Sequence, residues 1–542
     1  MKAAVSLPPS PDPSTLQHAL AQIKAGHFTQ VLPVLEPYAA GRNDQAKILY
    51  AFCLAGTGRH AQAATLLCEV ATRNPTSLHP VQDLSEVMAA LDRRVEATAT
   101  CRAALERTPH DARIHETLGS LLVQQGQLDD AVEILGQASA LRPNSTLARN
   151  LLAMALTERG NMDDALAHLH ETARDHPRHA GTLSNIGTIL TGMGQLEDAL
   201  DHFRRAITLR PEDAQIRLNH SVALLKAGLY AHGWQEHEWR FNLPGHTTLP
   251  PARLMPTLGA NTDIRGRRVL ITQEEGLGDT LMYLRYIKPL SDRGAITHLW
   301  VPQTLADLCR RVVGVHTVQV GGAVPDYDWH CPFISLPRVF AATPDAWGTP
   351  PPYLRADSLK IRELARFLPD NGRLNVGLVW GGDPRPTMIA PNVVDRRRSL
   401  NLRELAPLSH VAGINLISLQ KGHYAQQMMD PPEDMVLYDP TDELHTMDDT
   451  AALIMSLDVV VSVDTSVVHL AGALGKPVLM MDRYDNCWRW LQGRTDTPWY
   501  PTLHIIRQST PRRWTDVIER VAHTLGVMAE KRSPKAGGPS QP

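Results

Sequence analysis

The sequence predicts two architectures in one chain: stacked α-helical hairpins in the first half, then an α/β unit of two doubly wound parallel sheets. Three observations carry this. Prolines, glycines and small residues recur every 34 residues through the first half. Beyond residue 267, short buried β runs alternate with stretches of helical periodicity. That alternation breaks at the Pro-rich "WGTPPPYLRADS" and then starts again. A chain of 542 residues, 43% hydrophobic and 20% charged, is long enough for two or three globular domains of ordinary composition.

The repeat is held by three position classes. Prolines stand at Pro75, Pro109, Pro143, Pro177 and Pro211, where the missing N–H stops the second helix of a hairpin. Glycines at Gly126, Gly160, Gly194 and Gly228, with Gly58 two steps earlier, fall in the turn between helices, where positive φ is cheap. Small residues at Ala63, Ala97, Ala131, Ala165, Ala199 and Gly233 let the paired helices approach closely. Leu118, Leu122, Leu135 and Ala138 mark the packed face. Asp92 breaks the glycine class, and the first unit is irregular. Histidines at 168, 170, 176 and 179 have no ligand-like spacing and read as solvated helix surface. A solenoid of this kind offers a concave surface to a protein partner, or serves only to support the second half.

The totals exclude several classes. A formal charge of -3 gives no electrostatic footprint for nucleic acid. Six scattered cysteines without a Cys-x-x-Cys pair read as reduced thiols of a cytoplasmic protein. The N-terminus lacks a signal-peptide apolar core, and no run approaches 18 apolar residues. The tail, residues 531–542, reads as disordered.

The second half follows the connector of residues 241–266. Its first lobe, residues 267–357, holds "RRVLITQ", the turn "GLGD", the helical "TLMYLRYIKPL", "THLWVP", "TLADLCRRV" and "HTVQV". The second lobe, residues 358–530, opens with a helix near Lys360–Phe367. It continues with "NVGLVWGG", "INLISLQKG", "AALIMSLDVVVSV", "VVHLAGALG", "PVLMM" and a closing helix, Trp514 to Leu525. Such sheets bind ligands beyond the carboxyl ends of their strands. The notable polar clusters all lie at strand ends: Asp279, Trp380-Gly381, Gln420-Lys421 and Asp464-Thr465-Ser466.

Each cluster carries a chemical reading. In "EEGLGD" the third glycine of a dinucleotide fingerprint is replaced by Leu281, and no acid ends the next strand, so a dehydrogenase is not expected. Gly278 instead permits a tight turn that leaves Asp279 at a helix start, where the dipole favours an ionised carboxylate. Asp279 is a candidate general base for an acceptor hydroxyl, or simply a helix cap. In "DRRRSLNLREL" Arg396 and Arg397 read as a solvated loop before a helix, and Arg398 as the arginine turned inward towards phosphate oxygens. A helix starting near Ser466 offers free N–H groups to a diphosphate, with Thr465 and Ser466 adding hydroxyls. Asp464 caps that helix or holds a sugar hydroxyl. His469, one turn in, is a candidate donor to the leaving phosphate, or a packed helix residue. "DYD" at 326–328 reads as loop chemistry, and no metal is implied. Trp488, Trp490, Trp499 and Tyr500 stack on a ligand or pack between the lobes.

Two resemblances sharpen these expectations. Residues 14–240 resemble tetratricopeptide repeats, with Gly119, Ala153, Gly187, Ala131 and Pro143 in register. "DVVVSVDTSVVHLAGALGKPV" looks like the donor-site signature of glycosyltransferase family 9, the ADP-heptose:lipopolysaccharide heptosyltransferases, which carry Asp-Thr-x-x-x-His-Leu-Ala. "GLGD" resembles that family's Gly-Asp turn. The layout is similar to bacterial proteins that fuse the repeats to a family-9-like domain, with "SLQKG", "CWRWL" and "TPWYP" also matching.

The second resemblance implies a GT-B fold of two Rossmann-like lobes and an inverting, metal-independent glycosyltransferase. Asp279 and His469 are then its catalytic residues. Gly278, Trp380, Gly381, Arg398, Gln420, Lys421, Asp464, Thr465 and Ser466 line the donor side. Ser466-Val467 stands where the family often has Gly-Pro. The implied co-substrate is a nucleotide-diphosphate sugar such as ADP-heptose. The implied acceptor is a glycan or protein hydroxyl, with a protein partner on the repeats. The alternative is a protein-interaction scaffold whose α/β part binds a nucleotide or sugar without turnover.

Overall fold

The computed structural model describes residues 10–73, 79–246, 249–259, 261–343 and 348–532. The predicted disordered tail lies outside the described residues from 533 onward, while Lys531 and Arg532 complete the last helix. By internal contacts the chain forms two compact units, Met1–Asn185 with Arg385–Val393, and Ile186–Pro384 with Val394–Pro542.

The first unit is built of helical hairpins. Ala112–Gln125 pairs with Leu128–Leu141, and Thr146–Arg159 with Met162–Asp175. The periodic residues do what their chemistry dictates. Gly126 and Gly160 take φ of 76° and 101° at the ends of first helices. Asp92 fills the same role with φ 57°, which aspartate tolerates better than most L-residues. Ala63, Ala97, Ala131 and Ala165 are fully buried at the helix crossings. A Cβ on Gly119 would lie 2.3 Å from Leu135 Cγ, so any side chain at that crossing would have to displace Leu135.

The second unit contains the hairpin Ala214–Lys226 with Tyr230–His237, followed by two parallel sheets. The first sheet comprises β1 (Arg268–Thr272), β2 (Ile296–Trp300), β3 (Thr317–Gln319) and β4 (Trp329–Pro332), in the order β3-β2-β1-β4. The second comprises β5 (Leu374–Val379), β6 (Ile414–Ser418), β7 (Leu437–Tyr438), β8 (Val459–Val463), β9 (Val478–Asp482) and β10 (Leu503–Arg507), in the order β10-β9-β8-β5-β6-β7. Every named pairing is parallel.

Both strand orders reverse direction, the first between β1 and β4 and the second between β5 and β8. A crevice opens at such a reversal. One buried apolar cluster runs from Val269 and Ile271 of β1 through Leu281 to Val460 of β8 and Val468. A second fills the other face of the second sheet, from Val376 and Val461 to Val517 and Val521 of helix Thr515–Arg532.

Three strands escape the sequence reading. β4 and β7 are short, and β10 follows an aromatic, Pro-containing loop that masks its alternation. The three arginines of "DRRR" do precede a helix, the 3-10 turns Leu402–His410 capped by Asn401, but they do not stand in a solvated loop. They close an earlier helix, Ile389–Arg398, where cations oppose the negative end of the dipole. The "DYD" acids bind the start of β1: Asp328 Oδ2 accepts from Arg268 N–H at 2.8 Å, and Asp326 pairs with the Arg268 guanidinium at 3.4 Å.

Candidate functional site

The turn after β1 leads into helix Leu277–Tyr283, and the turn after β8 into helix Ser466–Ala473. The two helices meet at Gly278. A Cβ there would lie 2.8 Å from His469 Cδ2 and 3.4 Å from Ser466 Cα. Glycine at 278 therefore sets the approach of the two strand-end segments; it lies inside the helix without positive φ, so the close approach and not a tight turn is what requires it. Gly278, Ser466 and His469 come together as a result.

His469 is buried. Its Nδ1 lies 3.0 Å from the Tyr500 hydroxyl, and its ring stacks on Trp490 with centroids 5.3 Å apart. Burial lowers its pKa to about 4, against the pull of Asp464, so the imidazole is neutral near pH 7. Burial also raises the Tyr500 phenol well above its usual value, which keeps it protonated. Nε2 is the nitrogen facing Gly278, and it carries the ring proton when Tyr500 is the donor to Nδ1. His469 is thus suited to neutral hydrogen bonding and unsuited to supplying charge.

Thr465 is the N-cap of the second helix but makes no side-chain cap bond; its hydroxyl lies 3.2 Å from Ser462 Oγ. The first N–H groups of that helix have no intrahelical acceptor. The Asp464 carbonyl accepts from Arg398 Nη1 at 3.0 Å. Arg398 Nε and Nη2 both bond Asp395 Oδ1 at 3.1 Å. Arg398 therefore fixes the Asp464 turn to the end of its own helix. Gly382 is tight beside this pair, since a Cβ would lie 2.2 Å from Asp395 Oδ1.

Trp380, Gly381, Gln420 and Lys421 form a bracket joining the ends of β5 and β6. Gln420 Oε1 accepts from the N–H groups of Trp380 and Gly381, both at 2.9 Å. Its Nε2 donates to the carbonyls of Gly381 and Lys421. Trp380 is fully buried and bonds Gln427 through Nε1. Lys421 Nζ donates to the Thr441 carbonyl at 2.7 Å. These side chains hold the strand ends in register with one another.

Arg489, between the two tryptophans of "CWRW", is a residue the sequence reading passed over. Its Nη2 forms an ion pair with Asp279 Oδ1, its Nη1 bonds Cys487 Sγ at 3.0 Å, and its guanidinium lies 4.7 Å from the Trp488 ring. Burial opposes its charge, yet Asp279 and its other neighbours raise its pKa well above the usual value. The aromatic pattern around position 489 was the available signal. A second buried cation, Arg285, joins helix-side residues of the first sheet to the "PWYP" segment. It donates to the Trp499 carbonyl at 2.9 Å and lies 5.0 Å, 5.3 Å and 5.2 Å from the rings of Tyr353, Trp499 and Tyr500. The four aromatic residues named from sequence, Trp488, Trp490, Trp499 and Tyr500, are at most 4% exposed and pack inside the protein.

In the first unit, the leading helices of three successive hairpins line a groove of about 230 Å³ that includes Ser85, Arg113, Thr117, Gln124 and Leu147. Family models described as tetratricopeptide repeat match residues 122–183 and 180–213. Residues 122–213 are tetratricopeptide repeats. This is a protein-interaction architecture.

Among curated proteins, the chain is 27% identical over 350 residues to Protein FlbA of Caulobacter vibrioides, covering 58% of this chain and 56% of the relative. It thus spans little more than half the length of that protein. Among solved structures, a thermophilic TPR protein of Thermus thermophilus aligns at 21% identity, over 34% of this chain and 99% of its own, with a TM-score of 0.27. YrrB, described as a TPR protein with an unusual peptide-binding site, aligns at 16% identity, over 33% of this chain and 93% of its own, with a TM-score of 0.26. No helix among the described residues is long and apolar enough to cross a membrane.

Proposed function

We propose that the second unit is an inverting, metal-independent glycosyltransferase with a GT-B arrangement of its two sheets. It transfers a sugar from a nucleotide-diphosphate donor, ADP-heptose by family resemblance, to a glycan or protein hydroxyl. The repeats recruit the acceptor or a partner through the groove on their leading helices. One observation carries the reading: the "GLGD" turn after β1 and the "DTSVVH" turn after β8 meet through Gly278, at two strand ends where a ligand crevice belongs.

In this reading Asp279 takes the proton of the acceptor hydroxyl as its oxygen attacks the anomeric carbon. The bond from that carbon to the diphosphate breaks, and the electron pair leaves with the diphosphate. Ser466 and Val467 N–H groups and neutral His469 donate hydrogen bonds to the departing oxygens. Asp464 holds a sugar hydroxyl. The test is transfer from radiolabelled ADP-, UDP- and GDP-sugars to glycan and protein acceptors. Asp279→Ala should abolish transfer while leaving the circular-dichroism spectrum unchanged; unchanged turnover refutes the assignment.

A second reading, ligand binding without turnover, is favoured by the Asp279–Arg489 ion pair, which occupies the proposed base. Nucleotide binding without transfer to any acceptor would support it.

A further inference from the structure

We infer that Arg489 is a positioning residue for the proposed general base: it holds one carboxylate oxygen of Asp279, Oδ1, and so presents the other, Oδ2, to the acceptor hydroxyl. The inference rests on the glycosyltransferase reading above. It adds a residue of the second lobe that acts through the base of the first.

The ion pair is one-armed. An arginine fork matches both oxygens of a carboxylate. Here Nη2 bonds Asp279 Oδ1, while Nη1 turns to Cys487 Sγ at 3.0 Å. Among the described residues Oδ2 has no hydrogen-bond partner, and the Asp279 side chain keeps 20% of its surface open to solvent. The carboxylate lies in the first turn of helix Leu277–Tyr283 but is spent on Arg489, not on capping that helix. The nearby acid Glu274 does not compete for the guanidinium. It accepts from Arg240 Nη2 at 2.9 Å and lies 3.0 Å from His246 Nδ1.

The guanidinium is itself fixed. It lies 4.7 Å from the Trp488 ring, which packs edge-on against Trp234 at 5.3 Å and Trp499 at 6.2 Å. The Arg489 carbonyl accepts from Trp499 Nε1 at 3.0 Å. The next residue, Trp490, stacks on His469. Gly278, which meets His469 and Ser466, directly precedes Asp279, so the ion pair stands where the two strand-end turns converge. Neighbours in sequence thus hold both proposed catalytic side chains, Arg489 the base and Trp490 the histidine. A buried ion pair is weak evidence for stability, because desolvation offsets its attraction. A fixed carboxylate matters more to transfer, where misplacing a reacting group by about 1 Å costs about 100-fold. In the step, the acceptor proton passes to Oδ2 and the acceptor oxygen bonds the anomeric carbon. The electron pair of the breaking carbon–oxygen bond leaves with the diphosphate.

The experiment separates donor affinity from turnover in the full chain. Affinity comes from isothermal titration with ADP-, UDP- and GDP-sugars, and kcat from transfer of the radiolabelled sugar that binds. The variants are Arg489→Met and Arg489→Lys. The control is Leu525→Ala, a deletion in the buried face of helix Thr515–Arg532 that lowers stability elsewhere. In Arg489→Met, kcat should fall about 100-fold while donor affinity stays within about threefold. Arg489→Lys restores the charge without the planar fork and should recover part of kcat, staying about fivefold below wild type. Leu525→Ala should keep both values. Wild-type kcat in Arg489→Met, with Asp279→Ala inactive, overturns the positioning role and leaves the glycosyltransferase reading standing. Affinity and kcat falling together, or kcat falling equally in Leu525→Ala, also overturns the role. A wild type that binds no donor, or binds one and transfers nothing, sinks both. Should Arg489→Met fail to fold, Arg489→Lys decides, and wild-type kcat there overturns the inference.

Discussion

Replacing Gly278 by alanine tests the convergence on which the functional reading depends. The new methyl would sit 2.8 Å from His469 Cδ2, 3.4 Å from Ser466 Cα and 3.5 Å from His469 Nε2. The imidazole cannot retreat cheaply, because Tyr500 bonds its Nδ1 at 3.0 Å and Trp490 stacks on its face. Overpacking of this kind costs about 1–3 kcal/mol. Against it stands the gain of about 0.5–1 kcal/mol from replacing a helical glycine by alanine. The natural control is Gly526 in helix Thr515–Arg532, where a Cβ meets nothing within 4 Å. Gly526→Ala should receive the helix gain without the clash. In urea unfolding followed by tryptophan fluorescence, the two midpoints should move in opposite directions. Adding His469→Ala to Gly278→Ala should recover part of the loss, a coupling readable from a double-mutant cycle. Equal upward shifts for both alanine variants would refute the close approach of the two helices.

Three further predictions follow from the same geometry. The folded-state pKa of His469, about 4, lies below its unfolded value of 6.5. Its contribution is therefore fully present above pH 6.5 and is lost as pH falls towards 4, by about 3 kcal/mol in all. His469→Gln should flatten that part of the pH–stability curve, and an unchanged curve would show that the imidazole is not buried neutral. Gln420→Ala leaves two N–H groups and two carbonyls of the β5–β6 bracket without their partner, so it should cost about 2–4 kcal/mol in chemical denaturation. A loss under 1 kcal/mol would mean that water replaces the amide freely. Arg489→Met should destabilise by about 3 kcal/mol by stranding Asp279, and Asp279→Asn in the same chain should restore part of it. Strictly additive losses would show that the pair is not coupled.

The sequence pattern predicts the repeats well because each hairpin repeats one physical problem. Gly126 and Gly160 need positive φ, Ala131 and Ala165 need to be small, and Pro143 needs to stop a helix. Asp92 broke the written pattern and kept the backbone one, which composition cannot reveal. The buried runs of β1, β5, β6, β8 and β9 were legible from hydrophobicity, and the strand ends located Asp279 and Asp464. The partners of those residues were not legible. Arg489 is 210 positions from Asp279, and no local pattern ties them. Likewise, Gln420 and Lys421 sit at a strand end as ligand residues do, yet they bond the neighbouring strand end and Thr441. Position at a strand end selects candidates; only the three-dimensional partners distinguish a scaffold amide from one free to meet a ligand.

The aromatic cage around Arg285 bears on timing. Parting the two sheets would draw a guanidinium that is 1% exposed away from the rings of Trp499 and Tyr500 and from the Trp499 carbonyl. Such a rivet disfavours a hinge, and hinge motions are the microsecond-to-millisecond steps that limit many enzymes of two moving halves. A change in the spacing of the two sheets would first have to release Arg285 from this cage.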